Sequence, residues 1–102
     1  MTLSVIILTK NSSSTLDQCL SSLTSLAAEI IIIDDYSTDV TLAIAKKYTR
    51  RILRRRLDND FSSQRNFGLS QARGPWVLFI DADETVSDSL SLEILSAITS
   101  QF

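Results

Sequence analysis

Residues 29–39 read EIIIIDDYSTD, and residues 76–84 read WVLFIDADE. In each, an unbroken apolar run stops abruptly at paired aspartates. Ile30 to Ile33 and Trp76 to Ile80 lack the polar alternation of a strand with one wet face. Runs of that length suit strands buried on both faces, as in a parallel sheet covered by helices. Leu3 to Leu8, LSVIIL, is a third such run and ends in the polar loop TKNSSST, residues 9–15.

Working outward, helical patterns fill the gaps between these runs. Leu16, Cys19, Leu20 and Leu23 recur at the spacing of one helix face, behind a Ser14/Asp17 capping-box pattern. Ser37 or Thr38 is placed to cap a second helix with Val40, Ala43, Ile44 and Tyr48 inward. Arg51 to Arg56 reads as a short, charged edge strand. Asp58 to Asp60 make a turn. A third helix runs from about Phe61 to Ala72, stopped by Gly74 and Pro75. A fourth spans about Ser89 to Thr99, with Leu90, Ile94, Ala97 and Ile98 on one face. The order β-α-β-α-β-α-β-α predicts an α/β fold, a Rossmann-like parallel sheet with helices on both faces. Four strands make a narrow sheet for that architecture, and the last helix has little left to cover. The 102 residues therefore read as one partial domain, the front half of a larger one.

Composition narrows the function. The single cysteine, Cys19, fits a reducing compartment, and there is no histidine. A Ser/His/Asp or Cys/His triad is excluded within the chain, and too few soft ligands remain for zinc. No apolar run approaches the length of a membrane span, and MTLSVIIL lacks the basic flank of a signal peptide. The expected location is cytoplasmic. Net charge is −2, but seven of the ten basic residues lie between Lys46 and Arg56. That run reads first as a charged edge discouraging strand addition. Its second reading is peripheral contact with the anionic inner face of the plasma membrane or a lipid-diphosphate acceptor. It lacks the interleaved aromatics that nucleic acid would favour.

The chemistry is expected where strands end. Ligands of open parallel sheets bind beyond the carboxyl ends of the strands, where strand order reverses. If the first strand is central, with the second and fourth beside it, then Thr9–Asn11, Asp34–Asp35 and Asp81–Asp83 share one crevice. Asp81 and Asp83, two apart in extended backbone, project to one side. Such a pair suits a hard cation with oxygen ligands, Mg²⁺ or Mn²⁺, which recruits phosphates. Taken alone, the pair reads first as a solvated turn or helix cap. The convergence of three strand ends is what favours a site.

Quoted together, SVIILTKN (4–11), EIIIIDDYSTD (29–39) and QRNFGLSQARGPWVLFIDADE (64–84) resemble the inverting family 2 glycosyltransferases of the GT-A fold. The likeness covers roughly Ser4 to Glu84, with a flavour of the bacterial sugar transferases of lipopolysaccharide-core or polysaccharide assembly. It implies a nucleotide-diphosphosugar donor, most often UDP-linked, and a glycan or lipid-linked acceptor. By position, it implies that Thr9 and Asn11 line the nucleotide, Asp35 holds the base and Asp34 supports that turn. It places Arg65 toward the donor, Asp81 near ribose and metal, and Asp83 as principal metal ligand. The family's catalytic base lies well beyond the Asp81–Asp83 motif, and neither Glu84 nor Asp88 matches it. A fragment of this kind is expected to bind donor and metal, and its open sheet edge offers a route to a homodimer.

Two other classes compete. Nucleotidyltransferases share a similar fold, but usually carry a glycine-rich basic loop after the first strand, and TKNSSST has no glycine. A non-catalytic module is the other. Receiver domains place their acid pair after the first strand rather than the second, while a degenerate nucleotide-binding domain stays open.

Overall fold

The computed structural model describes residues 3–26 and 29–99. Its elements are β1 (Leu3–Thr9), α1 (Leu16–Ser22), a 3-10 turn (Thr24–Leu26), β2 (Glu29–Asp34), α2 (Thr41–Ala45), β3 (Arg51–Arg54), α3 (Phe61–Gln71), β4 (Trp76–Asp81) and α4 (Asp88–Thr99). The sheet order is β3-β2-β1-β4 and every pairing is parallel. β1 is central, as the strand-end argument requires. Ile6 stands level with Ile31 on one side and Phe79 on the other.

Strand alternation divides the apolar residues between two faces. Val5, Ile7, Ile30 and Ile32 point to the side covered by α1, α2 and α4, into a core with Leu16, Cys19, Leu20 and Leu23. Ile6, Ile31 and Ile33 point the other way, to a smaller cluster with Leu53 and Phe67. Only α3 packs on that face among the described residues, and it does so closely. A Cβ added at Gly68 would lie 2.7 Å from Ile6 Cγ2. The helices thus take both faces, with unequal cover. α4 lies over the β4 side of the larger core, with Ile94, Leu95 and Ile98 against it.

Local details differ from the sequence expectations. β3 ends at Arg54 rather than Arg56. It is the edge strand it was expected to be. No Ser14/Asp17 box forms. Thr15 is the N-cap of α1 without a side-chain bond, and the Ser12 carbonyl accepts the amides of Thr15 and Leu16. At α2, Asp39 accepts the Thr41 amide instead of Ser37 or Thr38 doing so. Ile44 and Tyr48 pack on the larger core as expected, but the buried places go to Thr41 and Ala45, while Ala43 is exposed and Val40 is 60% exposed. Five residues are too few for a helical period to settle which side faces in. On α4, Ser91 takes the buried place and Leu90 is left 43% exposed.

The amino end of the sheet is tied by a polar knot. Glu29, buried, accepts from Ser4 Oγ at 2.8 Å, from Arg51 Nη1 at 2.7 Å and from the Arg73 amide at 3.1 Å. Burial would raise the Glu29 carboxyl, but these hydrogen bonds, Arg51 foremost, outweigh it and lower its pKa.

Candidate functional site

The opposite end of the sheet carries the loops. Thr9 closes β1, and its carbonyl accepts the Asp35 amide at 2.9 Å. Its hydroxyl donates to Asp34 Oδ1 at 2.6 Å. Asp34 is fully buried. It also accepts the Ser37 amide and hydroxyl, at 2.8 and 2.6 Å, with Arg54 Nε 3.7 Å away. Its oxygens are occupied inside the protein, holding the β2–α2 loop against β1.

Asn11 joins the same two loops. Its Oδ1 accepts the Thr38 amide at 2.7 Å, and its own amide donates to Ser37 Oγ at 2.8 Å. Its φ of 48° is the left-handed region that asparagine tolerates. Tyr36 has φ 50°, which a bulky side chain adopts only under constraint. The constraint is visible. Lys10 Nζ donates to the carbonyls of Asp35 and Tyr36 at 2.8 and 3.2 Å. The Arg54 and Arg56 guanidinium carbons lie 4.7 and 4.8 Å from the Tyr36 ring centroid.

This bracing aims Asp35 the other way from Asp34. Asp35 is half-buried, and its Oδ1 accepts the Leu57 amide at 3.1 Å. It borders a cavity of about 260 Å³ with Leu8, Thr9, Lys10, Leu57, Phe61 and Gln64. Gln64, 1% exposed, accepts from Arg55 Nη1 at 2.8 Å and donates to the Arg55 carbonyl at 2.6 Å. The pair secures the strand exit beside the cavity. Phe61 is 54% exposed there, an aromatic face beside a carboxylate. Arg65, one turn along α3, lies 5.9 Å from the Phe61 centroid. The sequence assigns no site role to Leu57, Phe61 or Gln64, although Gln64 heads the segment 64–84 that carries the resemblance. The fold brings them to Asp35 because α3 starts at the same end of the sheet.

The β4 acids are placed differently. The Asp81 amide donates to Glu84 Oε1 at 2.7 Å, and the Glu84 amide returns to the Asp81 carbonyl at 3.0 Å. This closes a tight turn. The Asp81 and Asp83 side chains are exposed, and no described residue donates a hydrogen bond to either carboxylate. Their field reaches inward. Burial first, then Glu84, Asp83 and Asp81, push the Cys19 thiol up to about 11. Asp34, Asp35, Asp81 and Asp83 share one end of the sheet, but they do not form a single knot. Among the described residues no group of three or more Asp, Glu, Cys or His could hold a metal ion. The strand ends at Asp81, and Ala82 and Asp83 lie in the turn, so extended backbone does not carry the two carboxylates to one side as expected. Exposed and two residues apart, they still suit a cation that keeps most of its waters and takes further oxygens from a phosphate ligand.

The sequence matches the family described as glycosyl transferase family 2 over residues 4–100. An uncharacterized glycosyltransferase of Rickettsia conorii is 36% identical over 92 residues, covering 90% of this chain and 32% of that protein. The poly(ribitol-phosphate) β-N-acetylglucosaminyltransferase TarS of Staphylococcus aureus is 34% identical over 97 residues, covering 85% of this chain and 17% of TarS. A crystal structure of S. aureus TarS superposes with a TM-score of 0.81 at 31% identity, covering 98% of this chain and 33% of the other. A second, in complex with UDP, gives 0.76 at 32% identity, covering 99% and 32%. This chain thus spans about a third or less of the relatives it matches.

Proposed function

Because the chain belongs to glycosyl transferase family 2, we propose that it forms the donor-binding part of an enzyme that moves a sugar from a nucleotide diphosphate, UDP foremost, to a glycan or lipid-linked acceptor. The observation that carries the reading is the Asp35 cavity. A half-buried carboxylate beside an exposed phenyl ring suits a nucleobase, which offers an N–H edge and a π face. Thr9 and Asn11 shape the loop around it, Asp34 anchors the turn, and Arg65 supplies a guanidinium for phosphate. The similarity to a UDP-bound structure supports the choice of base.

Asp81 and Asp83 are the proposed ligands of Mg²⁺ or Mn²⁺. Such an ion would neutralise the diphosphate as it leaves. Asp81 and Asp83 orient that end of the donor, and Asp35 fixes the other. Single displacement with inversion needs a base within hydrogen-bond reach of the acceptor hydroxyl, and no acid among these residues is assigned that role. The proposed setting is the cytoplasmic face of the membrane, in polysaccharide assembly. No helix among the described residues is long and apolar enough to cross a membrane.

The test is thermal unfolding with UDP, GDP and their sugars, with and without Mn²⁺. UDP at a hundred times its Kd should add about 2.7 kcal/mol of stability. Asp35→Ala should abolish the shift for the nucleotide, and Asp83→Ala should remove only its metal dependence. Absence of any shift, or one indifferent to Asp35→Ala, would overturn the reading.

A further inference from the structure

The basic run does not act as one surface. Arg51 is taken by Glu29 and by Gln71, and Arg55 by Gln64. Lys46 and Arg50 are exposed, and no described carboxylate pairs with either. Together with Arg54 they border a groove of about 580 Å³ between α2 and the β3 edge, floored by Leu42, Thr49 and Ile52. No acid is among the residues that border it. Arg56 continues the line past the end of β3, where it and Arg54 meet the Tyr36 ring.

We propose that Lys46, Arg50, Arg54 and Arg56 form a binding track for an extended, phosphate-bearing polyanion. Three observations carry it. First, three cations border one concavity that no acid lines. Lys46 and Arg50 pair with no described carboxylate, whereas Arg54 is held at its inner side by Asp34, 3.7 Å from Nε, and by the Ser37 carbonyl, which accepts from Nη2 at 3.2 Å. Second, the Tyr36 ring holds two long arginines in place before a ligand arrives, which lowers the entropy lost on binding. Guanidinium groups so arranged meet phosphate oxygens in pairs. Third, the site is concave with an apolar floor. A flat bilayer cannot enter a groove, whereas a single extended polyanion can. The track ends beside Tyr36, the neighbour of Asp35, at the base end of the proposed donor site. The track itself does not rest on the donor reading above.

The experiment titrates long-chain inorganic polyphosphate into the 102-residue chain at physiological salt, in parallel with phosphatidylglycerol vesicles. Polyphosphate is expected to bind, and the Lys46→Gln/Arg50→Gln variant to weaken it roughly tenfold. Both replaced side chains are exposed, so the fold and the UDP-induced thermal shift should be unchanged. Arg56→Gln should weaken it as well, and Lys47→Gln, off the groove, should not. No polyphosphate binding, equal losses in Lys47→Gln, or binding to vesicles alone would each overturn the proposal. Loss of the UDP response in the unaltered chain would remove the donor reading and leave this test standing.

Discussion

Asp34 and Asp35 are adjacent and chemically identical, yet their replacement should have opposite signatures. Asp34→Ala would strand the Thr9 hydroxyl and the Ser37 amide and hydroxyl in a buried place. The expected cost is about 2–4 kcal/mol, read by urea unfolding. Asp35→Ala removes one partly exposed acceptor of the Leu57 amide and should cost about 1 kcal/mol or less. It should nonetheless abolish the UDP response. The sequence shows both aspartates as a pair, because a strand ending in two acids does not say which one turns inward. The bonds of Asp34 to Thr9 and Ser37 settle that, with strand alternation sending Asp35 the other way, and the Thr9 bond is not visible in a pattern of residue types. Glu29 gives a third residue-scale expectation. Its folded pKa lies below the ordinary 4.5, so its contribution is present above that value. It is lost as pH falls through the depressed folded value. Glu29→Gln should be less stable than the parent at neutral pH, and the gap should close in acid, as followed by unfolding at pH 7 and pH 3.

Among the elements, α3 is the most constrained, since it alone packs on the smaller core face among the described residues. Gly68→Ala puts a methyl 2.7 Å from Ile6 Cγ2, a methyl group fixed to a buried, branched side chain. Either the helix lifts or Ile6 changes rotamer. A loss of about 2 kcal/mol in stability is expected by urea titration. Because Phe61 and Arg65 ride on this helix, UDP affinity should fall with it. The apolar strands were legible because burial on both faces leaves no alternation to misread. β3 was legible as an edge because its charges would be untenable in the middle of a sheet. The caps were not. Residues 9–15 and 37–41 offer eight hydroxyls and one acid, Asp39, any of which could cap. The choice among them is made by bonds between loops, Thr38 to Asn11 and Ser12 to Thr41, far apart in sequence.

For the whole molecule, the open flank of β4 is the exposed liability. Its residues are WVLFID, and Phe79 is 41% exposed on the thinly covered face. Unpaired apolar strands recruit neighbours. The isolated 102-residue chain is expected to self-associate in sedimentation velocity, and Phe79→Lys to reduce this without changing the UDP response. The parallel sheet itself divides labour along its length. Ser4, Glu29, Arg51 and Arg73 clamp its amino end, while the loops of the proposed donor site occupy the other. Sequence drift can therefore remodel ligand preference at one pole while the anchorage at the far pole stays intact, an arrangement that lets a lineage diversify its substrates without relearning how to fold.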